Sequence, residues 1–340
     1  MQRIRVEDAV GTVLMHDMTE IIPGKSKGPR FRKGHVVRNE DIPVLLQMGK
    51  QHIYVWDQMP GLVHEDEAAW RLATAVSGPG IELSAAKEGK ITLKATQKGL
   101  IYVLTDALLA LNCLEYISVS TLHSHRPVEA GQSLAGARVV PLMVEERIIA
   151  EAERLAASYS EPIIQVRPLH SFKIGIVTTG SEVYHGRIQD KFGPVLKQKV
   201  TEWGSQVIGQ LFADDDISMI QGKISEHLQA GAEMILVSGG MSVDPDDVTP
   251  SAIKEMGAEL VTYGSPVLPG AMFLLAYLDG VPILGLPGCV MYSATTVFDL
   301  IAPRLLTGEK LGRLDIARLG HGGLCMECPQ CTYPHCGFGK

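Results

Sequence analysis

The sequence predicts an α/β chain that contains a three-layer αβα domain, with a β-rich α+β region before it and a cysteine-rich tail after it. Between residues 172 and 309, three apolar runs each end in a glycine turn that leads toward a helix, which is typical of parallel α/β sheets. The first 160 residues alternate short apolar runs with turn signals. Four cysteines crowd the residues after 324.

These patterns divide the chain into four parts. We expect a small β-rich module at 1–60, a mixed α+β region with a linker helix at 61–160, an α/β domain at 161–310 and a cysteine-rich tail at 311–340. In the first two parts, the predicted strands are 31–37, 53–55, 90–95 and 116–121, and the predicted helices are 39–48, 66–80 and 144–157.

Composition limits the classes of function. A chain of 340 residues with 46% hydrophobic content is large enough for two or three cores. The formal net charge of −7 argues against general nucleic-acid binding, which usually needs a basic face. We find no signal-peptide pattern and no run of eighteen apolar residues, so we expect a cytoplasmic protein that does not bind membranes.

The first of the three turns is Ser238–Asp247. It follows the strand-like run 234–237 and precedes Thr249-Pro250, which the sequence predicts as a helix N-cap and first helical residue. Two adjacent glycines let a ligand approach the backbone, and free N–H groups at such a turn suit an anion. Three aspartates beside an anion require a cation, and Mg²⁺ is the economical choice. The alternative is a solvated acidic turn.

Two further turns have the same position relative to a strand. The run 172–177 leads into Thr178-Thr179-Gly180-Ser181-Glu182-Val183, and the run 281–286 leads into Pro287-Gly288 and a helix predicted from about 292 to 306. Since the carboxyl ends of parallel strands share one edge of a sheet, we expect the three turns to form one composite pocket.

The segments TTGSEV, SGGMSVDPDD and GLPG, in this order and spacing, resemble the molybdopterin-binding domain. That domain is shared by the molybdopterin adenylyltransferases, the molybdopterin molybdotransferases and gephyrin. The resemblance covers about 172–309. Residues 6–11 and 14–17 are similar to the opening of the molybdotransferase branch.

The resemblance implies roles for individual residues. Asp247 and Glu182 would be the catalytic acids that hold the metal or position water. The acids of the second segment, Asp244, Asp246 and Asp247, would bind Mg²⁺. The residues implied to bind the pterin and its phosphate are Thr179, Gly180, Ser181, Asp190, Asp215, Ser238, Gly239, Gly240, Ser242, Pro287 and Gly288.

The chain departs from the family at two of these segments. Leu268 and Ala271 stand where the family has two lysines that are implicated in holding molybdate, and Cys289 stands where the family has asparagine. We therefore expect pterin binding to be retained and molybdate binding to be weak.

The tail carries Cys325, Cys328, Cys331 and Cys336 in the pattern C-x₂-C-x₂-C-x₄-C. Thiolates at two-residue spacing can converge on one metal, so Zn²⁺ or an iron–sulfur cluster is predicted. A redox or regulatory thiol cluster and an unstructured tail are the alternatives. The tail is rich in glycine, and we expect it to have little structure without its ligand.

The sequence thus predicts a protein of molybdenum cofactor biosynthesis that binds molybdopterin or adenylyl-molybdopterin, with a Mg²⁺-dependent molybdate transfer as the reaction. One alternative is a non-enzymatic molybdopterin carrier or maturation factor, whose tail senses a metal or redox state and docks a client molybdoenzyme. A nucleotide hydrolase on the same fold is another. The resemblance implies a homodimer.

Overall fold

The computed structural model describes residues 2–22, 24, 26–55 and 60–340, and these divide into two units. The first holds the described residues up to Thr96, together with Val103–Leu122 and Gly131–Gln165. The second holds Gln97–Tyr102, His123–Ala130 and Val166–Lys340. The units are therefore interleaved along the chain, whereas the four predicted parts follow one another.

The elements that begin before residue 160 are short and mostly extended. The strands are β1 (Gln2–Arg5), β2 (Met18–Ile22), β3 (Ser26–Phe31), β4 (His52–Val55), β5 (Leu62–His64), β6 (Ile81–Leu83), β7 (Lys90–Ala95), β8 (Gly99–Val103), β9 (Ile117–Thr121), β10 (Pro127–Val128), β11 (Ser133–Val139) and β12 (Met143–Glu145). The helices are α1 (Asp41–Gln47), α2 (Glu65–Val76), α3 (Thr105–Asn112) and α4 (Glu146–Ala157), with a 3₁₀ turn at Val6–Asp8.

The first unit is built around the antiparallel sheet β6-β7-β11-β9. Along β7, Ile91, Leu93 and Ala95 are buried and alternate with more exposed residues, as a sheet with one covered face requires. Helix α2 covers that face by packing on β7 and β11. Smaller antiparallel pairs join β1 with β4, β2 with β3 and β5 with β12.

One predicted strand of this unit is wrong. Residues 31–37 were expected to be extended, but β3 ends at Phe31. Gly34 then takes a φ of +84°, which turns the chain. The predicted helices 66–80 and 144–157 are confirmed, with α2 ending at Val76 and α4 beginning at Glu146.

The second unit contains a six-stranded sheet with helices on both faces. The remaining strands are β13 (Ile164–Arg167), β14 (Lys173–Thr179), β15 (Gln206–Ala213), β16 (Met234–Ser238), β17 (Glu259–Tyr263), β18 (Leu274–Leu278) and β19 (Val281–Leu286). The remaining helices are α5 (Ser181–Tyr184), α6 (Phe192–Glu202), α7 (Ile217–Gln229), α8 (Thr249–Glu255), α9 (Val297–Leu306) and α10 (Arg313–Arg318), with a 3₁₀ turn at Gly288–Met291.

The sheet has the order β15-β14-β16-β19-β18-β17. Strands β14, β15, β16 and β19 are parallel, and β18 and β17 complete one edge as antiparallel strands. The side chains of Ile174 and Ile176 pack on one face with α6 and α9, and Val177 packs on the other with α7 and α8. Burial on both faces explains the continuous apolar runs of β14 and β16, and the predicted three-layer αβα class is confirmed.

Two helix starts differ from the sequence prediction. Helix α9 begins at Val297 rather than near residue 292, because Thr296 and Asp299 form a capping box there. Helix α8 has Val248 as its N-cap, so Thr249 is its first residue. The hydroxyl of Thr249 donates instead to the carbonyl oxygen of Gly239 at 3.1 Å.

The tail is attached to the core of the second unit near both ends. Leu268 N–H donates to Gly323 O, and Cys325 N–H donates to Leu268 O, each at 2.8 Å. Near the other end, Phe338 is only 5% exposed and contacts the ring of Tyr333. Phe338 thus belongs to the hydrophobic core of the second unit, and Tyr333 packs against that core.

Within the described part of the chain, every helix is too short or too polar to span a lipid bilayer.

Candidate functional site

Three parallel strands of the second unit end level with one another. Thr179 of β14 pairs with Ala213 of β15, and Thr178 of β14 pairs with Ser238 of β16. The turns that follow these strands, at 180–182, 214–216 and 239–242, therefore begin at the same edge of the sheet. This is the edge where parallel α/β sheets bind ligands.

The Gly239-Gly240 turn follows β16 and needs both glycines. Their φ angles are +96° and +57°, and a Cβ on Gly239 would lie 2.3 Å from the carbonyl oxygen of Thr179. A Cβ on Gly240 would lie 2.7 Å from the hydroxyl of Thr249. The hydroxyls of Thr179 and Thr249 are 3.2 Å apart and both residues are buried. The turn is thus packed directly on two threonines and has little room to move.

Asp215 carries the clearest electrostatic feature of this edge. Its carboxylate accepts a hydrogen bond from Ser181 N–H at 2.9 Å, which links the turns after β14 and β15. Burial raises the pKa of the Asp215 carboxyl, and the negative charges of Glu182, Asp214 and Asp246 raise it further, against the lowering effect of the Ser181 hydrogen bond. Carboxylates from three separate turns therefore act on one point, and a cation there would relieve their repulsion.

Asp214 and Asp216 have local structural partners. The backbone N–H of Asp215 donates to Asp214 and is the main cause that lowers the pKa of the Asp214 carboxyl. His185 Nε2 lies 3.1 Å from Asp214 Oδ2. Asp216 caps α7 by accepting from Met219 N–H at 2.8 Å. Of the three aspartates after β15, Asp215 is the one most coupled to the other turns.

The acidic turn after Gly240 is held by its own residues. Asp247 is half-buried, and its Oδ2 accepts from Asp244 N–H at 3.1 Å. The hydroxyl of Tyr263 donates to the carbonyl oxygens of Met241 and Ser242. Burial and the charge of Asp247 raise the pKa of Tyr263. Asp244 and Asp246 are exposed.

The structure gives other predicted site residues structural contacts. Asp190 accepts from the N–H groups of Phe192 and Gly193 at the start of α6, and from Gln210 Nε2 at 2.6 Å. Ser238 is fully buried, with its hydroxyl 3.4 Å from that of Thr178. Their side chains support the edge of the sheet from within.

A fourth turn, after β19, contains Pro287 and Gly288. Pro287 is buried, whereas Gly288 is exposed and no atom lies within 4 Å of the position a Cβ would take. Gly288 therefore has no packing reason to be glycine, and its backbone is open to a ligand.

Converging metal ligands are not apparent. Among residues 2–22, 24, 26–55 and 60–340, no three His, Cys, Asp or Glu side chains converge as the ligands of one ion. Mg²⁺, however, is usually bound by one or two carboxylates together with substrate phosphates and water, rather than by a protein cage. The mutual repulsion around Asp215 fits that donor set.

A cavity of about 530 Å³ lies between the tail and the segment Tyr292–Thr295. All four tail cysteines line it, and Thr295 Oγ1 is 3.4 Å from Cys331 Sγ. Among the described cysteines none forms a disulfide. Pro269 also lines the cavity, so the segment that contains Leu268 and Ala271 lies beside the tail.

The comparisons with known proteins support the resemblance that the motifs of this domain indicate. Residues 175–307 match a family model described as "Probable molybdopterin binding domain". This segment of the chain is therefore similar to that domain family, as its motifs predict. Residues 3–57 match a second model, which is described as a domain of unknown function.

Individual relatives cover parts of the chain. A CinA-like protein of Mycobacterium tuberculosis is 33% identical over 92 residues, which make up 27% of this chain and 21% of that protein. The molybdopterin adenylyltransferase of Pyrococcus furiosus is 26% identical over 94 residues, or 28% of this chain and 55% of that protein. The crystal structure of the molybdopterin biosynthesis enzyme MoaB of Thermus thermophilus aligns with a TM-score of 0.34 and 21% identity, over 41% of this chain and 98% of that one.

Sequence reasoning missed three residues of the site. Thr249 was predicted as a helix cap, and its packing under the glycine turn depends on a strand and a helix meeting in space. Tyr263 lies on β17, at the far edge of the sheet order, and nothing in its local sequence indicates that it holds the 241–242 backbone. Gln210 lies within a strand and had no distinguishing signal.

Proposed function

We propose that residues 175–307 bind molybdopterin or adenylyl-molybdopterin at the sheet edge formed by Gly180, Asp215 and the Gly239-Gly240 turn. The observation that carries this is that the negative charges of Glu182, Asp214 and Asp246, which come from three turns at this edge, all raise the pKa of Asp215. The family of the domain and the molybdopterin adenylyltransferase relative support a role in molybdenum cofactor biosynthesis.

In this proposal the backbone and the acids have different tasks. The turn at Gly239 and Gly240, held on Thr179 and Thr249, presents backbone to the phosphate groups. Asp215 and Asp247 would hold Mg²⁺, which when bound would neutralise charge at the phosphoryl oxygens. Glu182 lies within electrostatic reach of Asp215 and would orient a water molecule toward the nucleotide link.

The test is a matched pair of variants in one turn. Asp247→Asn keeps an oxygen that can accept from Asp244 N–H, so the turn should persist while the negative charge is lost. We expect Mg²⁺-dependent turnover of adenylyl-molybdopterin to fall by at least about 100-fold, which corresponds to about 2.7 kcal/mol of transition-state stabilisation. Asp244→Asn, at an exposed carboxylate of the same turn, is the control and should retain most of the turnover.

The outcome separates the candidate functions. If Asp247→Asn and Asp244→Asn turn over substrate as fast as the wild type, Asp247 has only a local structural role and the catalytic assignment fails. If the wild type retains the pterin tightly and shows no turnover, the protein is a carrier. Hydrolysis of simple nucleotides at the same rate as adenylyl-molybdopterin would favour a nucleotide hydrolase.

Molybdate binding is a separate part of the proposal. Leu268 is 54% exposed and Ala271 is also exposed, so lysine can replace both without filling a core. We expect the wild type to bind molybdate weakly in the absence of pterin, because neither side chain is cationic. The Leu268→Lys and Ala271→Lys double variant should bind at least about tenfold more tightly, a gain of about 1.4 kcal/mol, as measured by calorimetry. Micromolar binding by the wild type would contradict this.

A further inference from the structure

The four tail cysteines share one space in the fold. Cys325, Cys328, Cys331 and Cys336 all line the cavity of about 530 Å³ over Tyr292–Thr295. Cys325 and Cys336 also pack against the hydrophobic core, whereas Cys328 and Cys331 are exposed. The cavity therefore has two thiols at its inner side and two near its mouth.

The segment that carries the thiols is fixed on both sides. Before it, Leu268 and Leu324 form a parallel β-bridge. The bridge consists of the backbone hydrogen bonds that Leu268 makes with residues 323 and 325. After it, Phe338 is buried, and Gly339 N–H donates to Gly322 O at 2.9 Å. The intervening loop is thus closed at its base, and movement within it changes the separations between thiols without detaching the tail.

The lining is chemically suited to a thiolate-bound metal group. Among the described residues that line the cavity, Glu327 has the one carboxylate, and none is lysine, arginine or histidine. A free oxyanion would find no cationic partner there. Thiolates select soft metals and iron–sulfur clusters.

The size of the cavity distinguishes a single ion from a cluster. Four thiolates around one Zn²⁺, at about 2.3 Å each, bring the sulfurs to within about 3.8 Å of one another and leave no space between them. The described cysteines do not converge in that way, and they line one shared cavity instead. A cluster binds its thiolates on its outside and occupies the space between them.

We propose that Cys325, Cys328, Cys331 and Cys336 ligate a 4Fe–4S cluster within this cavity. Each thiol loses its proton on binding iron. Thr295 Oγ1, 3.4 Å from Cys331 Sγ, donates a hydrogen bond to that sulfur. The cluster thereby ties the tail to the segment between the Pro287-Gly288 turn and α9.

The test is anaerobic reconstitution of the full chain with equal amounts of ferrous and ferric iron and with sulfide, which together supply the two Fe²⁺, two Fe³⁺ and four S²⁻ of the oxidised cluster. We expect iron and acid-labile sulfide in equal amounts, about four of each per chain, with visible absorbance that dithionite bleaches. The Cys328→Ser and Cys331→Ser double variant should lose the absorbance and most of the iron. Cys113→Ser, at an exposed thiol of the first unit, is the matched control and should bind the cluster as the wild type does.

Other results overturn the proposal. One zinc per chain with no iron would show that the thiols collapse around a single ion, and protein with neither metal would leave a thiol-only tail. Pterin binding, measured separately on the same samples, reports on residues 175–307, so failure of the cluster and failure of the proposed function are distinguishable. A thermal unfolding curve shows that the double variant is folded.

Discussion

Asp215 illustrates how one residue joins several parts of the site. Its carboxylate is the acceptor for Ser181 N–H and is held near Glu182 and Asp246, which follow two other strands. The unfolded chain separates these charges, whereas the folded chain brings them together. Repulsion between these carboxylates thus lowers the stability of the folded protein at the place where a cation would bind. Such a loss of stability is common at functional sites.

Asp215→Asn should therefore stabilise the ligand-free protein and weaken its ligand binding. The pKa of this carboxyl is higher in the folded protein than its value of about 4 in the unfolded chain. The carboxyl therefore has no effect on the free energy of unfolding below about pH 4, and it lowers that free energy as the pH rises through the folded-state pKa. After allowance for solvent screening we expect a gain of less than about 1 kcal/mol in the free energy of unfolding at pH 7. This gain should vanish below about pH 4.

The same variant should lose roughly tenfold or more in Mg²⁺-dependent pterin affinity, because a metal ligand is lost. Denaturant titrations at pH 7 and pH 4, together with calorimetry, measure both effects. A variant that is less stable at pH 7, or that binds as tightly as the wild type, would contradict the assignment. Asp216→Asn, which alters a helix cap outside this carboxylate set, is the comparison.

At the scale of an element, the turn between Leu122 and β10 has a titratable group inside it. His125 has a φ of +61°, donates its N–H to Ile101 O and contacts the ring of Tyr102 edge-on at 4.8 Å. Burial, followed by the charge of Arg304, lowers the pKa of His125 to about 4. The turn is therefore built around a neutral imidazole.

This arrangement predicts acid sensitivity of the second unit. The unfolded chain takes up a proton at His125 near pH 6.5, but the folded chain does so only near pH 4. The free energy of unfolding is therefore unaffected by His125 above pH 6.5 and falls as the pH decreases from 6.5 to about 4. The loss is up to about 3 kcal/mol. Glu309 and Asp315, which favour the charged form, and Arg167, which opposes it, also act on this group.

His125→Asn removes the titration and suits the backbone, since asparagine tolerates positive φ. Its free energy of unfolding should change less than that of the wild type between pH 7 and pH 4.5, as denaturant titrations across that range would measure. His123→Asn, at the exposed neighbour, should retain the wild-type pH dependence. Equal slopes for all three proteins would rule out His125 as the source.

At the scale of the whole molecule, the second unit is assembled from three separate stretches of chain. Tyr102 donates its hydroxyl to Glu309 at 2.6 Å and lies 2.9 Å from the hydroxyl of Thr307. Arg126 Nη2 lies 2.7 Å from His335 Nδ1 in the tail. Residues from the first half of the chain thus make hydrogen bonds to the segment that follows α9 and to the tail.

A fragment that begins at residue 161 should consequently be less stable than the second unit within the full chain. It lacks Gln97–Tyr102 and His123–Ala130, and it leaves the buried pair Arg304 and Glu309 without the Tyr102 hydroxyl. Each buried hydrogen-bonding group left without a partner costs about 1–3 kcal/mol. We expect a lower midpoint of thermal unfolding and faster proteolysis of α9 and α10.

Tyr102→Phe in the full chain isolates one part of that loss and should lower stability by about 1–3 kcal/mol. A fragment 161–340 as stable as the second unit of the full chain would show that the two inserted stretches add nothing.

The sequence by itself determined the αβα domain and its resemblance to the molybdopterin-binding domain. Apolar runs such as 234–237, each followed by a glycine turn, indicate strands that are buried on both faces. This pattern is local, so it can be recognised without knowing which helices cover the strands. The glycines at 239 and 240 were also evident, because two consecutive residues without side chains in such a position indicate a backbone that must approach something closely.

The tertiary structure decided the rest, because the relevant contacts join residues that no local pattern connects. Asp215 gains its raised pKa from burial and from charges on two other turns, and Thr249 exchanges a predicted capping role for packing under Gly240. The second unit recruits Tyr102 and His125 from the first half of the chain. The hydrophobic periodicity of a helix or strand predicts which of its faces is buried. Which other element covers that face depends on the fold of the whole chain.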